Sequence, residues 1–363
     1  MKALVLEGPK RLVYHNGLPD PRIEQPTDVI VAVHRAGICG SDLHPYLGRE
    51  STAAGTIPGH EFVGEVVAVG SRVARLQIGD QVFSPFTTSC GDCFYCRRGL
   101  SARCPRGQLF GYLPPEGTAE SYESLQGAQA EFVRVPLADS TLLRLCPSLS
   151  PEEALLLGDN FTTGYFCAKS ASIQPGDLVA VVGCGAVGLC AIVAARFFQA
   201  VEVVAIDPVA SRRRRAHELG ALPALPELAA TCFCDLTSTK GRPGADVVLE
   251  AVGSPAAQEL AFQLVRPGGT IVAIGVHTSE HFAFSPTAAY DKNLTYRAGR
   301  CPVRSLLEEV VPLVEAGKLN IPTASVVTHP SVPLREGPSA YRMFQERRDD
   351  CVKVLLDPTC TPS

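Results

Sequence analysis

The sequence predicts a two-domain α/β protein, an all-β barrel-type domain joined to a doubly wound parallel sheet. Three observations predict it. The 363-residue length exceeds what one hydrophobic core usually covers; the first third carries short β-branched runs; and beyond residue 150 apolar strand-like runs alternate with helical ones around a glycine-rich turn. With 46% hydrophobic and 19% charged residues the composition is that of an ordinary globular protein. A net charge of -4 argues against nucleic acid or an anionic membrane surface as partner, because both demand a basic face.

The runs at 1–6, 28–33, 61–69, 81–83 and 130–135 are short, β-branched and bounded by Gly, Pro or Asp, as strands of a small barrel should be. Fourteen cysteines, a strand-like run opening directly at Met1 and no signal peptide predict a reducing cytoplasm rather than a secreted disulfide framework. Cys90, Cys93, Cys96 and Cys104 stand at C-x2-C-x2-C-x7-C, which suits a closed tetrahedral zinc site tying down a lobe too short for its own core. An iron–sulfur cluster is the rival, since Cys104-Pro105 echoes a ferredoxin ending, but that pattern keeps three residues before its last cysteine and this one has seven.

Between the strands lies Gly37-Ile38-Cys39-Gly40-Ser41-Asp42-Leu43-His44, followed by Gly59-His60-Glu61. Cys39 and His60 offer two of the three protein ligands a catalytic zinc usually takes. Ser41 and His44 would give an oxygen held on that metal a nearby proton acceptor, the pattern of a dehydrogenase. A buried inert thiol and a surface histidine fit this stretch alone equally well.

The second domain opens at Ser150-Pro151-Glu152-Glu153, an N-cap serine with proline at the first helical position and glutamate three residues on. The run 178–195 holds eighteen residues without a charge, yet Gly183, Gly185 and Gly188 interrupt it, so it reads as strand, turn and helix rather than a membrane span. Gly183-Cys184-Gly185-Ala186-Val187-Gly188 after an apolar strand, with Asp207 nineteen residues beyond the last glycine at the end of the run 201–206, predicts dinucleotide binding. The acid favours NAD, because a 2'-phosphate would meet a like charge there. The four arginines at 212–215, Arg212 first, either form a solvated helix face or reach the cofactor by stacking on adenine or gripping a phosphate. Strands at 245–250 and 270–275 flank a helix at 255–265 that Gly268-Gly269 should close. A strand at 293–298, helices at 304–316 and 340–347 and a strand at 351–356 complete the reading. The 112–129 loop has no apolar period and is either a substrate-side lid or a bland insertion.

These motifs, taken together, resemble the zinc-containing alcohol dehydrogenases of the medium-chain dehydrogenase/reductase superfamily, over nearly the whole chain. The resemblance implies a GroES-like catalytic domain at 1–157, a Rossmann domain at 158–298 and a return to the catalytic domain at 299–363. It implies two zinc ions per subunit, one catalytic on Cys39, His60 and Asp159 and one structural on Cys90, Cys93, Cys96 and Cys104. Asp159, in Leu157-Gly158-Asp159-Asn160, departs from the Cys2His ligand set of alcohol dehydrogenase by standing where that set has a second cysteine. The charge is unchanged and the oxygen donor is harder, so the metal should be a somewhat stronger Lewis acid; a loop or cap carboxylate is the plain alternative. Ser41 and His44 become a proton relay and Glu61 a carboxylate beside the metal, or else a strand-end charge. Lys353 takes the place of a basic pyrophosphate contact, and Thr163, Val252 and Val276 fall around the nicotinamide, with a strand-end lysine and core packing as alternatives. Phe86 and Leu47 would line the substrate pocket.

The implied reaction moves a hydride between a primary or secondary alcohol and NAD, while the alcohol proton passes through Ser41 and the cofactor ribose to His44. Polyol, threonine or formaldehyde dehydrogenases share these ligands, and a zinc-stabilised NAD-binding protein without catalysis is the reading from another class. The expected partner is a small alcohol, aldehyde or ketone, and a homodimer or homotetramer is the base expectation for such a chain.

Overall fold

The computed structural model describes residues 1–115, 125–237 and 244–360, so positions 116–124 of the 112–129 loop lie outside the described residues. The chain divides into two compact units: Met1–Asp159, Pro302–Glu315 and Val327–Ser363 form one, Asn160–Cys301 and Ala316–Val326 the other.

In the first unit, strand Val29–Ile38 is the hub. It pairs antiparallel with Phe62–Val69 on one side and with Val354–Asp357 on the other, and Phe132–Val135 joins it as well. His329–Pro333 extends the sheet beyond Val354–Asp357, and Gln81–Phe83 with Leu143–Arg144 extends it at the far end. Val29, Val31 and Val33 alternate inward against Phe62, Val66, Val82, Val133 and Val135, so the β-branched residues that make these strands also make their core. A separate hairpin, Ala3–Gly8 with Arg11–His15, packs its leucines with Tyr341 and Phe344 of helix Gly337–Glu346. Helix Pro151–Gly158 starts as its sequence predicts: the Glu153 amide donates to Ser150 Oγ at 3.2 Å, and the Ser150 amide donates to the Glu153 carboxylate at 2.8 Å.

In the second unit a parallel sheet runs Leu222–Ala224, Glu202–Ile206, Leu178–Val182, Ala245–Glu250, Val265–Ala273, Thr295–Ala298. Leu178–Val182 and Ala245–Glu250 are buried at every residue, because helices cover both faces. The order reverses between these two strands, which makes the carboxyl ends at residues 183 and 251 the switch point where such sheets take ligands.

Two expectations change. Gly268 and Gly269 lie inside strand Val265–Ala273 and do not close a helix; the helix Pro255–Leu264 ends as Val265 turns extended, and Gly268 takes φ +71° within an irregularity of register. Ala316–Val326 groups with the second unit and does not return with the rest of 299–363, because helix Thr323–Val326 packs on helix Ala186–Phe197 and Arg215 Nη1 reaches the Ser325 carbonyl at 3.4 Å.

Candidate metal centre and dinucleotide site

Cys39 leaves the end of strand Val29–Ile38 and caps a short helical turn, Gly40–Asp42, that carries Ser41 and Asp42. His60 and Glu61 immediately precede the antiparallel neighbour Phe62–Val69, and Asp159 ends helix Pro151–Gly158. These three elements bring Cys39, His60, Glu61 and Asp159 together, with one ligand atom from each lying within 4.8 Å of the others. Asp159 Oδ2 lies 3.6 Å from Cys39 Sγ and 3.4 Å from His60 Nε2. A tetrahedral zinc with bonds of about 2.3 Å to sulfur and about 2.0 Å to nitrogen and oxygen has edges of roughly 3.5 and 3.3 Å, so the donor set fits such an ion.

The electrostatics agree. Against burial, which opposes it, the Asp42 and Asp159 carboxylates raise the His60 pKa well above the imidazole range. Against burial likewise, the hydrogen bond and charge of His60 bring the Asp159 carboxyl down to about 2. A cluster that draws a proton this strongly is one a dication stabilises in its place. Glu61 is fully buried and its carboxylate meets the Lys353 ammonium, itself 1% exposed. Gly37 makes room for that carboxylate, since a Cβ there would collide with Glu61 Oε2. Lys353, expected as a basic contact to pyrophosphate, forms a buried ion pair beside the metal donors in this structure.

Asp42, for which the sequence alone suggests no role, orients the centre. Its Oδ1 is 3.2 Å from His60 Nδ1 and its Oδ2 accepts from the Cys39 amide at 2.9 Å. Holding the proton on Nδ1 leaves Nε2 to face the donors. Its position three residues after Cys39, where a carboxylate folds back on the turn, was the available signal. Ser41 Oγ sits 3.4 Å from His60 Nε2. His44, on helix Leu43–Tyr46, has Nδ1 buried without a hydrogen-bond partner among the described residues, and burial lowers its pKa. Phe86 stands edge-on to His60 with ring centroids 6.3 Å apart, whereas Leu47 packs into the cluster around Leu4, Tyr46 and Tyr341.

In the four-cysteine lobe, Cys90 and Cys96 sulfurs are 3.9 Å apart, as are those of Cys93 and Cys104. These separations are near the edge of about 3.8 Å for a tetrahedron of zinc–sulfur bonds, and far beyond a disulfide bond. The Cys90 and Cys96 amides point at the Cys104 and Cys93 sulfurs, each at 3.4 Å, which favours thiolates.

At the switch point Gly183 has φ +92° and its missing Cβ would strike Val252, while a Cβ on Gly188 would strike the Gly183 carbonyl. Gly185 differs: its nearest neighbour would be Arg212 Nη1 at 3.9 Å, so its face is open at the start of helix Ala186–Phe197, where a phosphate can approach the backbone. Asp207 follows strand Glu202–Ile206; its carboxylate accepts from the Cys184 amide at 2.9 Å and the Val209 amide at 2.8 Å, fastening the glycine turn to the second strand. Arg212 Nη1 lies 3.9 Å from that carboxylate, and Arg213 donates to the Asp207 carbonyl at 2.7 Å, so the arginine run is not simply a solvated face. Val252 and Val276 are 47% and 46% exposed, which removes core packing as their role, whereas Thr163 is buried in helix Asn160–Ala171.

Among the described residues no helix is long and apolar enough to cross a membrane. Residues 25–145 match the model of the alcohol dehydrogenase GroES-like domain, and residues 186–316 match that of the zinc-binding dehydrogenases. A zinc-type alcohol dehydrogenase B of Aspergillus flavus is 38% identical across 95% of this chain and 78% of its own length. A sorbitol dehydrogenase of Bacillus subtilis is 31% identical across 99% of this chain and 97% of its own. The solved alcohol dehydrogenase TADH from Thermus sp. ATN1 superposes with a TM-score of 0.88 at 41% identity, covering 98% of this chain and 99% of that one. With both domain models matched and full-length relatives above 30% identity, the chain belongs to the zinc-containing alcohol dehydrogenases of the medium-chain dehydrogenase/reductase superfamily and is a zinc-dependent oxidoreductase.

Proposed function

We propose that the chain interconverts a primary or secondary alcohol and its aldehyde or ketone, with NAD as hydride carrier. The observation that carries the reading is the tetrahedral spacing of the Cys39, His60 and Asp159 donors next to Ser41. Zinc held by these three supplies the positive charge that makes an alcohol oxygen easier to deprotonate. Asp42 keeps His60 in the tautomer that presents Nε2, and the Glu61–Lys353 pair adds no net charge to the cluster. Ser41 and His44 would serve as the proton relay of this reaction, since Ser41 lies beside the metal donors and burial keeps the His44 imidazole neutral with its Nδ1 available as acceptor. The open face of Gly185 would receive the pyrophosphate and Asp207 the ribose hydroxyls, and Thr163, Val252 and Val276 would hold the nicotinamide. The four-cysteine lobe holds the second zinc for stability. A reducing cytoplasm is part of the proposal, which the fourteen free cysteines suit, and a homo-oligomer is its base expectation.

A panel of simple alcohols, polyols and aldehydes, followed by NADH absorbance, tests the reading. Turnover of at least one class with added zinc is expected, and polyols belong in the panel because of the sorbitol dehydrogenase relative. Binding of zinc and NAD with no turnover across the panel would instead favour the zinc-stabilised binding protein.

A further inference from the structure

We infer that Gln129 and Tyr341 are positioning residues for the catalytic metal ligands, through a buried hydrogen-bonded chain that runs from the C-terminal helix to His60 and Cys39. The inference rests on the proposal that Cys39, His60 and Asp159 hold zinc. Tyr341, on helix Gly337–Glu346, donates its hydroxyl to Gln129 Oε1 at 2.8 Å. The Gln129 amide nitrogen donates onward to Asp42 Oδ2 at 3.3 Å and to the Gly37 carbonyl at 3.0 Å. Asp42 then holds the His60 imidazole and the Cys39 amide. Gln129 is 0% and Tyr341 1% exposed, so water cannot substitute for any of these partners.

The glutamine also clamps the other side of the site. Gly59, the residue before His60, has φ +96°, and a Cβ there would lie 2.5 Å from Gln129 Cγ. The Gln129 backbone amide donates to the Pro58 carbonyl at 3.0 Å. One side chain thus contacts the segments preceding both Cys39 and His60. Both amide hydrogens are used, one on the Asp42 carboxylate and one on a carbonyl, which fixes which way round the amide sits. The Asp42 carboxylate consequently has one geometry in which to hold the imidazole. Tyr341 is locked in turn by the Tyr46 ring, with centroids 5.3 Å apart.

The test compares zinc content and zinc affinity, by competitive chelator titration of the full-length protein, for the parent, Gln129→Met and Tyr341→Phe. Methionine keeps the length and bulk of glutamine and removes its hydrogen bonds; phenylalanine removes one hydroxyl. Loss of a partner bonded directly to a ligand typically costs 10–100-fold in metal affinity, and Gln129 stands one bond further out, behind Asp42, so Gln129→Met should weaken one of two zincs by roughly tenfold, the low end of that range. Tyr341→Phe, which deletes a single hydrogen bond, should weaken the same zinc by roughly three- to tenfold. The zinc of the four-cysteine lobe should keep its affinity in both and reports that the fold is intact. Two zincs in both variants, each held as tightly as in the parent, would overturn the inference. If Gln129→Met fails to fold, Tyr341→Phe alone decides. A parent that binds only the lobe zinc would overturn the ligand assignment itself, and this inference with it.

Discussion

Replacing Lys353 by methionine separates two roles for this residue, because a cofactor contact and a buried counter-charge fail in different ways. In the structure the ammonium is 1% exposed and paired with Glu61, whose side chain is 0% exposed. Methionine fills similar space but leaves the carboxylate without its cation. Breaking a buried pair by removing one partner costs about 3–5 kcal/mol where the remaining charge is uncompensated, and the zinc beside Glu61 makes that an upper bound here. For a domain of this size each kcal/mol moves the thermal midpoint by about 2–4 °C, so a fall of several degrees, and at most roughly 20 °C, is expected. Replacing both partners by neutral groups is often close to harmless, so the double variant with Glu61→Gln should recover most of that loss. The assay is calorimetry of the zinc-loaded protein, with the cofactor KM measured alongside. An unchanged midpoint with a raised KM for NAD would refute the counter-charge reasoning and return Lys353 to the pyrophosphate, and a double variant no more stable than Lys353→Met would refute it as well.

Cys90→Ser should lower thermal stability, since a closed four-sulfur site contributes folding energy, whereas Asp159→Ala should cut turnover far more than stability; elemental analysis and calorimetry of both variants check this. His44→Gln should lower turnover by roughly ten- to a thousandfold at neutral pH, with the deficit shrinking as pH rises and solvent base takes over. Because burial lowers the His44 pKa, the parent's proton acceptor stays neutral below the usual imidazole range, and its activity should fall only on the acid side of pH 6.5. Steady-state kinetics should favour NAD over NADP by at least tenfold, and Asp207→Gly should narrow that preference. The same substitution removes the acceptor for the Cys184 and Val209 amides, so it should also destabilise the cofactor domain, by about 1–3 kcal/mol for the buried Cys184 donor and by less for the half-buried Val209 donor, which water can reach.

By itself the sequence determined whatever depends on neighbours along the chain. The C-x2-C-x2-C-x7-C lobe, the glycine turn after an apolar strand, the capped start of helix Pro151–Gly158 and the alternation of strand and helix are all local, since ligand spacing, backbone φ and capping act within a few residues. The resemblance carried the reading further, to Asp159, which lies 120 residues from the cysteine it joins. Helix and strand ends were less legible, as Gly268 shows: the same glycine can end a helix or kink a strand, and sheet pairing chose the strand.

Only the tertiary structure decided the environment of each charge. Glu61 and Lys353 are 292 residues apart and Tyr341 and Gln129 are 212 apart, so nothing in either local stretch marks them as partners. Asp42 was visible beside Cys39, but its role became definite only when strand pairing set His60 Nδ1 against it. Arg212 and Arg213 likewise turn from a charge run into partners of Asp207 once the helix is laid on the second strand. The physical reason is common to all of these. Burial raises the free-energy cost of leaving a polar group unpaired, so the fold that buries a group also selects its partner from distant parts of the chain.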